Sequence, residues 1–161
     1  MRNDYIPVAV ALRELNCTSL DSISDRILLQ KKIYLLQDVG LPLGFSYNWY
    51  IHGPYSPDLT SAVYRIIPEG FESVEDKNFK TEYKEMVDKV NKLETNSSYA
   101  RDLGVSSWYE LLASISYWYK KGIINKDKLT LRVNELKPQF SSDNINAGIE
   151  AYSIFKGIEI S

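Results

Sequence analysis

The spacing of apolar residues predicts a mainly helical chain with one short extended segment. From Ile6 to Leu15 apolar positions cluster among good helix formers and stop at Asn16, which predicts a first helix. Ser22 or Ser24 can cap the next helix, with Asp25 placed where the helix dipole favours a negative charge. That helix, DRILLQKKIYLLQDVG, runs to Gly40. Its face of Ile27, Leu28, Tyr34, Leu35 and Val39, widened by Leu29, Ile33 and Leu36, predicts burial at the centre of the domain.

After GLPLG the period drops to two. Phe45, Tyr47, Trp49 and Ile51 alternate with Ser46, Asn48, Tyr50 and His52, as expected of a strand with one buried face. Gly53-Pro54 then reads as a turn, Ser56 as a cap and Pro57 as the first residue of a helix running towards Ile66, with Asp58 favourable to its dipole. Pro68 and Gly70 break the pattern. Beyond them Phe79, Tyr83, Met86, Val87, Val90 and Leu93 form one stripe of an amphipathic helix.

The stretch TNSSYARDLGVSS reads as a polar loop with a short helical turn. Trp108 to Lys121 follows as a strong helix, capped by Ser106 or Ser107, stopped by Gly122 and carrying Leu111, Leu112, Ile115, Trp118 and Tyr119 as its apolar residues. Two more helices are expected, Lys126 to Leu136 and Asn144 to Lys156, ending before Pro138 and at Gly157. The fold class is thus mainly α, in the α+β sense: a helical domain with one small sheet or hairpin, in which a winged-helix-like arrangement is one option. The break at Pro68 to Ser73 separates an N-terminal half, 1–67, from a helical half, 73–161. With no repeat or long linker, a single domain, 1–161, with one core is expected.

Composition narrows the function classes. The chain has 161 residues, 25% of them charged, and a formal net charge of −2, which fits neither a disordered nor a membrane protein. No apolar run approaches the roughly 20 residues of a bilayer span, and the N-terminus lacks the pattern of a secretory signal, so a cytoplasmic location is expected. One cysteine, Cys17, and one histidine, His52, cannot build a disulfide framework or a Cys/His zinc site. No metal and no cofactor is expected. The slight acidity also argues against binding nucleic acid by phosphate neutralisation alone.

Few residues suggest chemistry. Histidine titrates near neutrality and is the natural general base, but His52 has only Asp58 nearby in sequence to orient it. A histidine that shapes a turn is the better reading. Cys17 reads as an incidental or buried thiol. The pairs Lys31-Lys32 and Lys120-Lys121 could touch phosphates, yet read more readily as solvated ends of amphipathic helices. The acids Glu69, Glu72, Glu75, Asp76, Glu82, Glu85 and Asp88 form a row that could face a basic partner; interrupted by lysines, it reads as a solvated face. No phosphate loop, dinucleotide fingerprint, HExxH or GxSxG motif occurs. The strongest signal is aromatic. Tyr50, Tyr55, Tyr64, Tyr117 and Tyr119 need partners for their hydroxyls if buried, and half-exposed tyrosines are what interfaces use as anchors.

Two segments carry a family resemblance. Leu28 to Leu59, LLQKKIYLLQDVGLPLGFSYNWYIHGPYSPDL, resembles the hallmark of the YwgA-like proteins and the SocA-like (Panacea) antitoxin domain: an LQK..YLLQ helix followed by a strand ending in Y..GPYS..L. Trp108 to Gly122, WYELLASISYWYKKG, is similar to the LELLATVHW helix of that family. The resemblance implies a mostly helical bacterial domain with a small sheet. A similar domain follows a macrodomain in larger antitoxins and blocks a DNA-modifying ADP-ribosyltransferase toxin by binding it; no macrodomain is expected in this chain.

The expectation is therefore a non-enzymatic, antitoxin-like protein-binding module whose partner is a cognate toxin or phage-defence protein. Its binding edge is expected at Tyr50, His52, Gly53, Pro54, Tyr55 and Ser56, with Tyr50, His52 and Tyr55 as the exposed members and Gly53, Pro54 and Ser56 shaping the passage from strand to helix, without catalytic residues. The alternatives are a winged-helix-like DNA-binding regulator and a small enzyme acting on nucleotides or nucleic acid, using His52 with a carboxylate.

Overall fold

The computed structural model describes residues 1–95 and 97–161, and shows a mainly α protein with one small β hairpin. The helices are α1 (Ile6–Glu14), α2 (Ile23–Asp38), α3 (Pro57–Glu69), α4 (Thr81–Thr95), α5 (Ser98–Leu103), α6 (Val105–Lys120), α7 (Lys126–Leu136) and α8 (Ser142–Lys156). Between α2 and α3 lie β1 (Asn48–Tyr50) and β2 (Gly53–Tyr55).

Helix α2 begins where the sequence provides a capping box. Ser22 Oγ accepts from the Asp25 amide at 3.0 Å, and the Asp25 carboxylate accepts from the Ser22 amide at 3.3 Å. The cap is thus Ser22, not Ser24. From Leu29 to Leu36 every residue of α2 is buried, and the same holds for α6 from Trp108 to Ser116. These two helices pack against each other, and α6 packs in turn on α8. Gly148 of α8 allows that second approach: a Cβ there would lie 2.7 Å from Ile115 Cδ1. One apolar cluster extends from Val8 in α1 to Ile160 near the C-terminus. No helix among the described residues is long and apolar enough to cross a membrane.

Several boundaries differ from the expectations. The extended segment is a hairpin, with Asn48 facing Tyr55, Trp49 facing Pro54 and Tyr50 facing Gly53. Its turn is therefore Ile51-His52, and Gly53-Pro54 belongs to β2. The expected alternation holds from Phe45 to Tyr50 and fails at Ile51, which the turn leaves 86% exposed. Helix α3 continues past Ile66 through Pro68. Helix α6 starts at Val105, with Gly104 rather than Ser106 or Ser107 at the cap position. The polar stretch before it contains α5, capped by Ser97; Asn96, in the same stretch, lies outside the described residues. Ser141 caps α8 two residues earlier than the apolar pattern suggested.

Candidate functional site

The hairpin corner is built from residues far apart in sequence, and buried polar groups hold it in place. A two-residue turn leaves backbone carbonyls without ladder partners, and Pro54 has no N–H to give. Two buried lysines satisfy these carbonyls. Lys31 of α2 donates to Pro54 O at 2.5 Å, and Lys137, just beyond α7, donates to Ile51 O. Lys137 also pairs with Glu110 of α6 at 3.3 Å, and Glu110 lies 3.5 Å from His52 Nδ1. Lys31, Glu110 and Lys137 are all buried, whereas the His52 ring is half exposed.

Burial pushes the Lys31 ammonium down to about 7 from its ordinary value; nearby Glu110 opposes the shift and Lys137 adds to it. Gln30, one residue before, clamps the junction between β2 and α3. Its Oε1 accepts from the Ser56 amide at 2.9 Å, while its Nε2 donates to Ser56 O at 2.9 Å and to Thr60 Oγ1 at 3.0 Å. Thr60 donates in turn to the Tyr55 hydroxyl at 2.7 Å, and the Tyr55 ring makes an edge contact with Tyr50, with centroids 5.2 Å apart. Trp49, on the other side of β1, packs on Tyr117 and Trp118. Gly53 is required: its φ is +90°, and a Cβ would come within 2.9 Å of Ser114 Oγ.

The expected binding residues therefore separate into two groups. Tyr50 and His52 are exposed and Tyr55 is half-buried, so these three can meet a partner. Gly53, Pro54 and Ser56 are buried, which corrects their assignment to the binding edge: Gly53 lies against α6, Pro54 supplies a carbonyl to Lys31, and Ser56 caps α3. Asp58 does not orient His52. The carboxylate beside that ring comes from α6, and at 3.5 Å it is a charge neighbour rather than a short hydrogen bond.

Around the exposed group lies a pocket of about 270 Å³. Its walls are Ile23, Ile27 and Leu29 of α2 with Val63 and Tyr64 of α3, and Tyr55 and His52 close it on the hairpin side. Its basic lining residues are Arg26, Lys31 and His52.

The other candidates resolve into structural roles. Lys32 is buried and donates to Leu15 O at 3.1 Å, satisfying a carbonyl at the end of α1, and lies 3.2 Å from Glu94. The reading of Lys31-Lys32 as a solvated or phosphate-facing pair is thereby overturned, because both ammonium groups serve the interior. Lys120 pairs with Asp38 at 3.3 Å, and Lys121 lies over the Tyr117 ring. The Asp38 side chain is itself buried and accepts from Ser116 and Tyr152, both at 2.7 Å, and from Lys156 at 3.0 Å. Burial alone would raise the Asp38 pKa, but the Tyr152 and Ser116 hydrogen bonds and the two lysines hold it below the usual value. Cys17 is buried, and desolvation pushes its thiol up to about 11, which leaves it unreactive. The acids of the row from Glu69 to Asp88 are exposed. Among the described residues no cluster of His, Cys, Asp and Glu is arranged to hold a metal ion.

The sequence reading missed Lys31, Glu110 and Lys137 as parts of the corner. For Lys31 a signal existed, since it lies one helical turn from both Ile27 and Leu35, on the apolar stripe itself. Lys137 follows a helix end with nothing local to mark it. No family model matches the chain, and neither a curated protein nor a solved structure does.

Proposed function

We propose that this chain is a non-enzymatic, antitoxin-like module that neutralises or regulates a toxin or phage-defence protein by binding it directly at the hairpin corner. The observation that carries this reading is the gathering of exposed apolar surface there. Ile51 is 86% exposed, Ile23 63%, Tyr64 52% and Tyr50 46%. Ile23 and Tyr64 line the pocket with His52 and Tyr55, Tyr50 leans on Tyr55, and Ile51 precedes His52 at the turn. Apolar side chains grouped around a pocket, over a support that fixes the backbone, are what an interface anchor requires. The resemblance of Leu28 to Leu59 to the SocA-like antitoxin domain supports the same reading, because the GPYS segment that carries it forms this corner. The alternative of a DNA reader has less support: Lys31, Lys32 and Lys137 direct their charges inward.

The test is co-expression of the tagged chain with the proteins encoded beside it, followed by purification and mass spectrometry, with the Ile51→Asp/Tyr64→Ala double variant in parallel. The proposal expects one neighbour in stoichiometric amount with the parent and at least tenfold less with the variant, whose helical circular dichroism is unchanged. Equal recovery by both proteins would remove the corner from the interface. Recovery of no neighbour, together with a salt-dependent shift of duplex DNA, would replace the proposal with the DNA-binding alternative.

A further inference from the structure

The pocket beneath the corner has a chemistry that selects what enters it. Its walls are aliphatic and aromatic, and the side chains on it that can carry charge near neutral pH, Arg26, Lys31 and His52, are bases. Among the described residues that line it there is no carboxylate. The acids nearest in sequence are engaged or lie outside: Asp25 accepts from Ser19 Oγ at 2.9 Å and from the Ser22 amide, and Asp58 is exposed in the first turn of α3. Glu110 does not line the pocket, but it offsets part of the Lys31 charge and lies 3.5 Å from His52 Nδ1, so Arg26 is the stronger of the two rim contacts. Arg26 is anchored by Nη1 on Leu20 O at 2.7 Å, which fixes the guanidinium at the mouth. The arrangement combines apolar contact with the fixed positive charge of Arg26.

From this complementarity we infer that the pocket receives a segment of the partner protein in which a bulky apolar side chain is followed directly by a carboxylate. The apolar side chain fills the cavity between α2 and α3, and the carboxylate meets Arg26 and His52 at the rim. At about 270 Å³ the pocket lies just under the roughly 300–1,000 Å³ of drug-sized ligand sites. It suits one aromatic or two aliphatic side chains. The exposed Ile23, Tyr64 and Ile51 around the mouth extend the apolar surface beyond the cavity, which a peptide backbone covers and a small free acid does not. This inference rests on the protein-binding reading above and gives that partner's contact a chemical identity.

The experiment uses the full chain and four capped peptides, acetyl-Gly-Phe-Asp-Gly-amide and its Phe-Asn, Phe-Lys and Ser-Asp versions, with octanoate as the free acid. Binding is followed by amide shifts in two-dimensional NMR. The Phe-Asp peptide is expected to shift the amides of residues 23–31, 52, 53, 55 and 60–64, with the Phe-Asn and Ser-Asp peptides at least fivefold weaker and Phe-Lys weaker still. Arg26→Gln should reduce Phe-Asp binding at least threefold and leave Phe-Asn binding unmoved, a split that a general loss of structure would not produce. Equal binding of Phe-Lys and Phe-Asp, shifts confined to other residues, or a response to octanoate with none to any peptide would overturn the inference. The last outcome would make the pocket a site for small organic acids. Phe-Asp binding by a chain that captures no partner would keep the pocket chemistry and sink only the antitoxin-like role. Partner capture that survives Arg26→Gln and Tyr64→Ala would do the reverse.

Discussion

Lys31 offers the sharpest test of how the corner is held. Its ammonium is fully buried against Pro54 O, and its pKa falls from 10.5 to about 7. Between those values the unfolded chain holds a proton that the folded chain has lost, so unfolding free energy rises with pH across the window. The stability withheld by this burial is therefore recovered as pH climbs from about 7 towards 10.5. Lys31→Met removes the titration while keeping a flexible side chain of similar length. Groups that titrate alike in both proteins cancel in the comparison, leaving the slope of the difference to Lys31.

At one unit of pKa per about 1.4 kcal/mol, moving from about pH 7.5 to 9 should raise the stability of the parent relative to Lys31→Met by about 2 kcal/mol. The absolute difference at any one pH mixes a lost hydrogen bond with a relieved buried charge and carries no sign; the slope does. Urea unfolding followed by the fluorescence of Trp49, Trp108 and Trp118 measures it. Two parallel stability curves, differing by the same amount at both ends of the range, would show that Lys31 keeps its ordinary pKa when folded. The tie to Pro54 would then have to be looser or wetter than the structure has it.

Two further perturbations test the framework. Gly53→Ala places a side chain at φ +90° and within 2.9 Å of Ser114 Oγ; a loss of about 1–3 kcal/mol is expected in urea unfolding, part of it recovered in the double variant with Ser114→Ala. A neutral effect would mean that the hairpin is not pressed against α6. For Asp38, the folded pKa is lowered, so its contribution is present above the ordinary carboxylate range and is lost as pH falls through the folded value. Asp38→Asn should cost about 1.5–3 kcal/mol at neutral pH, as for hydrogen bonds to a charged group, with the gap to the parent closing in acid. A gap that stays constant down to about pH 2 would contradict this linkage.

Sequence alone determined the local parts, since their causes are local. The serine and aspartate of the α2 cap, the Ser56-Pro57 start of α3, the stripe of α4 and the left-handed stop at Gly157 depend on neighbours a few residues away, and all were legible. The aromatic corner was legible as well, because Trp49, Tyr50 and Tyr55 lie close together in the chain. That Tyr50 and His52 are exposed members was legible too, whereas the contacts that bury its frame were not. Burial of Gly53, Pro54 and Ser56 depends on α6 and Gln30, which approach only in the folded chain, and the pairing of Glu110 with His52 and Lys137 joins three segments that share no spacing. Lysines at positions 31 and 32 look like surface charge because most lysines are. Only the fold shows that Lys31 and Lys137 donate to two hairpin carbonyls and Lys32 to Leu15 O, so that side chains expensive to bury become the means by which the corner keeps its shape.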